Sequence, residues 1–278
     1  MKTVWITGAG GLIGANLIRL APQARVIGLT RDTLDLTDFK AVETRFAQDR
    51  PRLVVHLAAM SKTADCATNP ALARKVNVET TAHLAELTCD VDFIFFSTDL
   101  VFDGQRGWYV ETDATNPVTM YGETKAEAEA VVTRNPRHTV VRLALCGGKS
   151  PKGTTAFNED VEAMWRAGKV PKFFADEYRT PIAAPVVAKA IWALADNPPP
   201  GIFHLGGSKR LSRVDMGRLL AERHPELSPK FESGSVKDFK GPPRAPDTSL
   251  RSDKIQKLLP FALPGLDDWL KTNPQEPF

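Results

Sequence analysis

Short apolar runs alternate with helix-period segments along the first half of the chain. VWIT (4–7), RVIGLT (25–30), LVVHLA (53–58), DFIFFS (92–97) and TVVRLAL (139–145) are apolar enough to be strands buried on both faces. Between the first two, Ile13, Leu17 and Leu20 fall at i, i+4 and i+7, which predicts a helix. The stretch from Ala71 to Leu87 places Leu72, Val76, Leu84 and Leu87 on a broadly apolar side and predicts another. Strands alternating with helices predict an α/β fold with a doubly wound parallel sheet.

The second half has a different texture. Gly and Pro interrupt it at GGKSPKG (147–153), DNPPPG (196–201) and GPPRAPD (241–247), with helical segments such as AAPVVAKAIWALAD (183–196) between. This pattern predicts a smaller lobe whose elements interleave with the sheet. The expected division is 1–147 for the sheet domain and 148–278 for the lobe, with segments around 183–205 returning to the sheet. No internal repeat or low-complexity tract is present.

Composition narrows the function classes. The 278 residues are 42% hydrophobic and 25% charged, ordinary values for a globular protein. The net charge of +3 comes from 36 Lys and Arg spread along the chain, so no nucleic-acid footprint is expected. The first residues, MKTVWITG, run into a strand-like stretch without an export signal, and no apolar run approaches the roughly 20 residues that cross a bilayer. A cytoplasmic protein without a membrane partner is the expectation. Cys66, Cys89 and Cys146 are odd in number and widely separated, which predicts buried free thiols. His56, His83, His138, His204 and His224 show no ligand spacing, and no metal is expected.

The segment ITGAGGLIG (6–14) closes the first strand and opens the first helix. Gly8, Gly11 and Gly14 permit a tight turn, close approach to a pyrophosphate and close helix-to-strand contact, while the helix N-terminus offers unpaired N–H donors. At this strand-to-helix position the loop predicts a dinucleotide cofactor on a Rossmann-type sheet. In GLTRDTLDLTD (28–38), Arg31 stands where a carboxylate would otherwise hold two ribose hydroxyls, and an arginine there can pair with a 2′-phosphate. NADP(H) is therefore preferred, with NAD(H) the alternative if the adjacent Asp32 takes the ribose. Asp35 and Leu36 can receive the adenine amine and cover its ring.

In TMYGETK (119–125), Tyr121 and Lys125 are four apart and share one helix face. A phenol titrates near 10, so a neighbouring ammonium is expected to lower Tyr121 toward useful acidity. STDLVFDG (97–104) lies at the carboxyl end of the fourth strand, where open parallel sheets build their sites, and Thr98 supplies a hydroxyl there. A phenol beside an ammonium offers a proton donor, and the Thr98 hydroxyl offers a group to orient a substrate oxygen.

These residues resemble the extended short-chain dehydrogenase/reductase family, whose catalytic set is Ser or Thr, Tyr and Lys after a TGxxGxxG loop. The closer resemblance is to its dTDP-4-dehydrorhamnose reductase branch. STDLVFDG and GWYVETDATNPVTMYGETKAEAE look like that branch's STDYVFDG, Y-x-E-x-D and YG-x-x-K landmarks. HLAAMS (56–61), DEYRTPIAAPVVAKAI (176–191) and RAPDTSLRSDK (244–254) continue the likeness in order. The resemblance implies catalytic roles for Thr98, Tyr121 and Lys125. It implies cofactor contacts from Gly8, Gly11, Leu12, Ile13, Gly14, Arg31, Asp35, Leu36, Ala58 and Ala59, joined by Tyr121 and Lys125. The implied reaction is NADPH-dependent reduction of the 4-keto group of a nucleotide-linked deoxysugar.

Departures and alternatives accompany the likeness. RLALCGG (142–148) lacks the aromatic that the branch often places against the sugar. Arg179 and Arg244 are candidate pyrophosphate contacts, set against a reading as surface salt bridges. A related dehydratase would carry Glu after Asp99, where this chain has Leu100, and an epimerase would retain NAD. An NADP-binding regulatory subunit, like the β subunit of methionine adenosyltransferase, is the alternative outside catalysis. Family members often pair as homodimers, and the small residues Ala126, Ala128 and Ala130 suit packing against either a partner or the chain's own sheet.

Overall fold

Along each sheet strand, successive apolar side chains point to opposite faces, and both faces are covered. The computed structural model describes residues 2–22 and 25–278. The first half runs β1 (Thr3–Thr7), α1 (Leu12–Arg19), β2 (Arg25–Leu29), α2 (Phe39–Asp49), β3 (Leu53–His56), α3 (Thr63–Thr68), α4 (Pro70–Arg74), a π-helical turn (Lys75–Glu79), α5 (Thr80–Leu87), β4 (Asp92–Thr98), α6 (Met120–Val132) and β5 (Thr139–Leu143). The second half supplies β6 (Cys146–Gly147), α7 (Phe157–Arg166), β7 (Lys172–Phe174), β8 (Tyr178–Arg179), β9 (Ile182–Ala183), α8 (Ala184–Leu194), β10 (Gly201–Leu205), β11 (Leu211–Ser212), α9 (Arg213–Arg223), β12 (Glu232–Gly234), α10 (Asp253–Gln256) and α11 (Leu266–Thr272).

Six strands form one sheet in the order β10-β5-β4-β3-β1-β2, and every pair is parallel. All five strands expected in the first half are present. Val4, Ile6, Val55, Ile94 and Phe96 enter a core with α1 and α8, while Trp5, Val54, Phe93 and Phe95 enter a second core against α2, α5 and α6. Fully burying each such side chain stabilises the fold by roughly 1.5–3 kcal/mol. The chain order reverses between β3-β1 and β1-β2, which opens a crevice at their carboxyl ends. Three two-stranded pieces, β6 with β9, β7 with β12 and β8 with β11, lie outside the main sheet.

Two expectations are corrected. The helix over 71–87 is broken by the π-helical turn, which carries Asn77 inward, and Leu72 is exposed instead of sharing an apolar side with Leu84. A wider turn re-aims the side chains that follow it, which periodicity does not anticipate. Of the three cysteines, only Cys66 is buried; Cys89 is exposed just after α5 and Cys146 is partly covered. No helix among the described residues is long and apolar enough to cross a membrane.

A buried ion pair ties α6 to the sheet. Glu129 on α6 receives Arg142 of β5 through Nε at 3.1 Å and Nη2 at 2.8 Å, and Ser97 of β4 donates its hydroxyl to the same carboxylate. Both side chains are almost wholly covered. Arg142→Met should lower the unfolding free energy by about 3–5 kcal/mol, because the Glu129 charge stays buried without its partner. Substituting Glu129→Leu together with Arg142→Met should recover most of that loss in urea denaturation.

Candidate active site

The glycine loop is built as a cradle. Gly8 adopts φ +68°, and a Cβ there would stand 2.8 Å from the Ala58 amide nitrogen, so only glycine allows the loop to lie against the end of β3. Gly11 is the N-cap of α1 and contributes no capping side chain; Gly14 sits against the Gly8 carbonyl. The N–H groups of Leu12, Ile13 and Gly14 fall in the first helical turn, where no intrahelical acceptor exists. A pyrophosphate fits this donor set. Thr7 Oγ1 accepts from the Leu57 and Ala58 amides at 3.1 Å, locking the two crevice walls together.

That hydroxyl therefore directs its hydrogen at His56 Nδ1, 2.7 Å away, and His56 Nε2 faces Thr81 Oγ1 at 3.0 Å. Burial, with the nearby Lys125 charge, pushes His56 down to about 3, so it is a neutral core histidine. Ala58 and Ala59 line the half-open segment beyond β3. Arg31 and Asp32 are exposed past β2. Asp35 accepts from the Thr37 amide and hydroxyl at 2.9 and 2.8 Å, which holds its carboxyl below the usual range, and Leu36 packs against the second core.

The other half of the site depends on one close approach. Thr119 caps α6 by accepting from the Gly122 amide at 3.1 Å. A Cβ on Gly122 would invade the carbonyl of Leu100, in the 3₁₀ turn Asp99–Val101 that follows Thr98. Glycine thus lets the first turn of α6, which carries Tyr121, reach the end of β4, where Thr98 lies. Lys125, one turn later, is buried with Nζ 4.0 Å from the centroid of the Phe95 ring.

Asn77 was not singled out by any motif. Its Oδ1 accepts from the Met60 amide at 2.8 Å, and its Nδ2 donates to the Met60 carbonyl and to Thr124 Oγ1 at 3.1 and 2.9 Å. It joins the segment beyond β3 to the helix that carries Tyr121 and Lys125. Asp99 is a second residue of this kind: Thr98 Oγ1 lies 3.2 Å from its Oδ1, and Thr248 donates to its Oδ2 at 2.7 Å. Burial pushes the Asp99 carboxyl up, against the opposing pull of Arg179.

A match to the family described as the RmlD substrate binding domain covers residues 1–272. The chain belongs to this family. A probable low-salt glycan biosynthesis reductase of Haloferax volcanii is 30% identical, across 95% of this chain and 94% of its own length. A dTDP-4-dehydrorhamnose reductase of Sinorhizobium fredii is 28% identical across 95% and 93%. The crystal structure of a dTDP-4-dehydrorhamnose reductase from Bacillus anthracis, in complex with NADP, superposes with a TM-score of 0.90 over 98% of both chains at 20% identity, a likeness of fold.

Within this RmlD-family chain the expected tuning of Tyr121 is reversed. Burial, and next the Asp99 charge, push the phenol well above its usual range, while Thr98 alone acts in the opposite direction. Burial takes Lys125 itself down to about 7, partly countered by Glu129, whose carboxylate is already bound by Arg142. The two expected pyrophosphate arginines differ: Arg179 is buried between Asp99 and Glu177, while Arg244 is exposed at a cavity wall. Among the described residues no grouping of His, Cys, Asp and Glu could hold a metal ion.

Lys125 gives this protein a pH-dependent stability. Between about 7 and the ordinary lysine value of about 10.4, the folded chain has lost this proton and the unfolded chain retains it, so stability rises with pH across that window. Lys125→Met should therefore melt higher than the wild type at pH 6, by about 4 °C or more. The gap should shrink as the pH approaches 10, as followed by circular dichroism.

Proposed function

We propose that this chain reduces the 4-keto group of a nucleotide-linked deoxysugar with NADPH. The observation that carries this reading is that Gly122 brings the first turn of α6, with Tyr121 and Lys125, against the end of β4 at Thr98, while Asn77 hydrogen-bonds the same helix to the segment at Met60. The reductases among its relatives support the same reaction class. NADPH supplies a hydride to the carbonyl carbon.

The protein's own residues handle the oxygen. Tyr121, held neutral by burial, is the proton donor to the developing alkoxide, and Thr98 can hydrogen-bond the same oxygen. A phenol this reluctant to ionise needs a compensating cation before it can give up its proton. Lys125, one turn away on the same face, is the group placed to provide it once ribose hydroxyls engage its ammonium. Gly8, Gly11, Leu12, Ile13 and Gly14 would hold the pyrophosphate, and Ala58 and Ala59 would flank the cofactor.

Arg31 supports NADP(H) over NAD(H), since its exposed guanidinium is free of any ion pair among the described residues. Residues 1–147 with the returning stretch 183–205 would form the cofactor half, and the rest of 148–278 the substrate lobe. A regulatory subunit would bind the cofactor without turning it over.

Purified protein mixed with NADPH and dTDP-4-keto-6-deoxy-L-mannose should consume the cofactor absorbance, and Tyr121→Phe should lower the rate about 10²–10⁴-fold. Binding of NADPH with no consumption across a panel of 4-keto sugars would sink the reductase reading in favour of a binding subunit. Arg31→Ala should weaken NADPH by about 1.5–3 kcal/mol, the worth of a charge-assisted hydrogen bond, and leave NADH nearly unchanged. Equal losses for both would mean Arg31 does not meet a 2′-phosphate.

A further inference from the structure

Between the end of β4 and the second lobe runs a file of buried charges. Arg179 Nε lies 3.5 Å from Asp99 Oδ2, and Arg179 Nη2 lies 3.1 Å from Glu177 Oε1. Glu177 is itself almost wholly buried and receives two further guanidiniums, Arg213 at 3.2 Å and Arg244 at 2.9 Å. Arg179 Nη1 donates to the Tyr178 carbonyl at 2.6 Å and the Pro246 carbonyl at 3.4 Å. Four of its five N–H donors are thus directed at the protein itself.

The cluster holds two carboxylates, Asp99 and Glu177, against three guanidiniums, so it is one positive charge in excess. Burial leads the forces that depress Arg213, and the charges of Arg179 and Arg244 add to it. The excess faces a cavity of about 630 Å³ whose charged lining is Lys172, Arg213, Lys240 and Arg244 against Asp160, Glu177 and Asp238. Arg244 lies against the Phe174 and Phe239 rings, with its Cζ 5.3 and 5.6 Å from their centroids. An anion in this cavity would balance the one positive charge by which its lining cations exceed its carboxylates.

We propose that Glu177 is a positioning residue that couples the two ends of the substrate site: it fixes Arg213 and Arg244 toward an anionic diphosphate and, through Arg179, fixes Asp99 against Thr98. The proposal rests on the sugar-nucleotide reading above and adds the means by which occupancy of the lobe reaches the proton donor. Asp99 is faced by Thr98 and Thr248 through hydrogen bonds, by Arg179 of β8, by Tyr121 of α6, and at longer range by Arg213 of α9. An anion that draws Arg244 and Arg213 toward the cavity leaves Glu177 more fully to Arg179. Arg179 is then drawn off Asp99, and the Thr98–Tyr121 pair feels the change.

Two variants test this, with calorimetric binding of thymidine diphosphate and steady-state pH profiles as readouts. Glu177→Gln should weaken thymidine diphosphate about tenfold or more and also lower kcat at saturating substrate, with a displaced pH profile. Arg179→Lys keeps the charge but loses the fork, and should move kcat and its pH profile while thymidine diphosphate affinity stays within about twofold. An unchanged kcat profile in Arg179→Lys would overturn the coupling, and that variant decides the matter if Glu177→Gln fails to fold. Unchanged thymidine diphosphate affinity in a folded Glu177→Gln protein would overturn it whatever the turnover. A wild type that reduces no ketone would sink the reductase reading alone, since the calorimetric comparison needs no catalysis.

Discussion

The close approach of α6 to the end of β4 is the constraint on which the site depends. A helix can bring a phenol to a strand end only if its first turn presents no side chain to the intervening backbone, and Gly122 meets that condition against the Leu100 carbonyl. The Glu129–Arg142 pair fixes the same helix one turn beyond Lys125, and Asn77 fixes it laterally through Thr124. Three different attachments thus define where Tyr121 and Lys125 stand. The last two involve buried polar side chains, where a shift would strand a polar group without a partner.

The electrostatics of the site run against a simple picture of an ammonium acidifying a phenol. Burial dominates at both groups, raising Tyr121 and depressing Lys125, because desolvation penalises the charged form of each. The protein therefore keeps both groups close to neutral until ligands supply compensating hydrogen bonds. Glu129 and Arg142 form a matched buried pair. Around Glu177 the cluster is lopsided, with three guanidiniums to two carboxylates.

Much of this was legible in the chain itself, for identifiable reasons. The five strands of the first half declare themselves because both faces of a parallel sheet are buried, leaving continuous β-branched and aromatic runs such as DFIFFS. The loop at Gly8 and the pair Tyr121 and Lys125 are local in sequence, so spacing alone places them on a turn and on one helix face. Asn77 escaped notice because its importance comes from a π-helical turn inside an apparently regular helix. Glu177 escaped for a different reason: its partners lie at positions 179, 213 and 244, and no local pattern joins them. The direction of the Tyr121 shift required knowing its burial, which spacing does not report.

The strand order carries one further consequence, for synthesis of the chain. β5 lies in the interior of the finished sheet only because β10, made from residues 201–205, pairs along its far side. Until the ribosome has delivered that strand, together with the α8 helix that covers the same face, β5 presents an unpaired apolar edge to its surroundings. The six-stranded sheet is therefore complete only after residues 148–200 have been made.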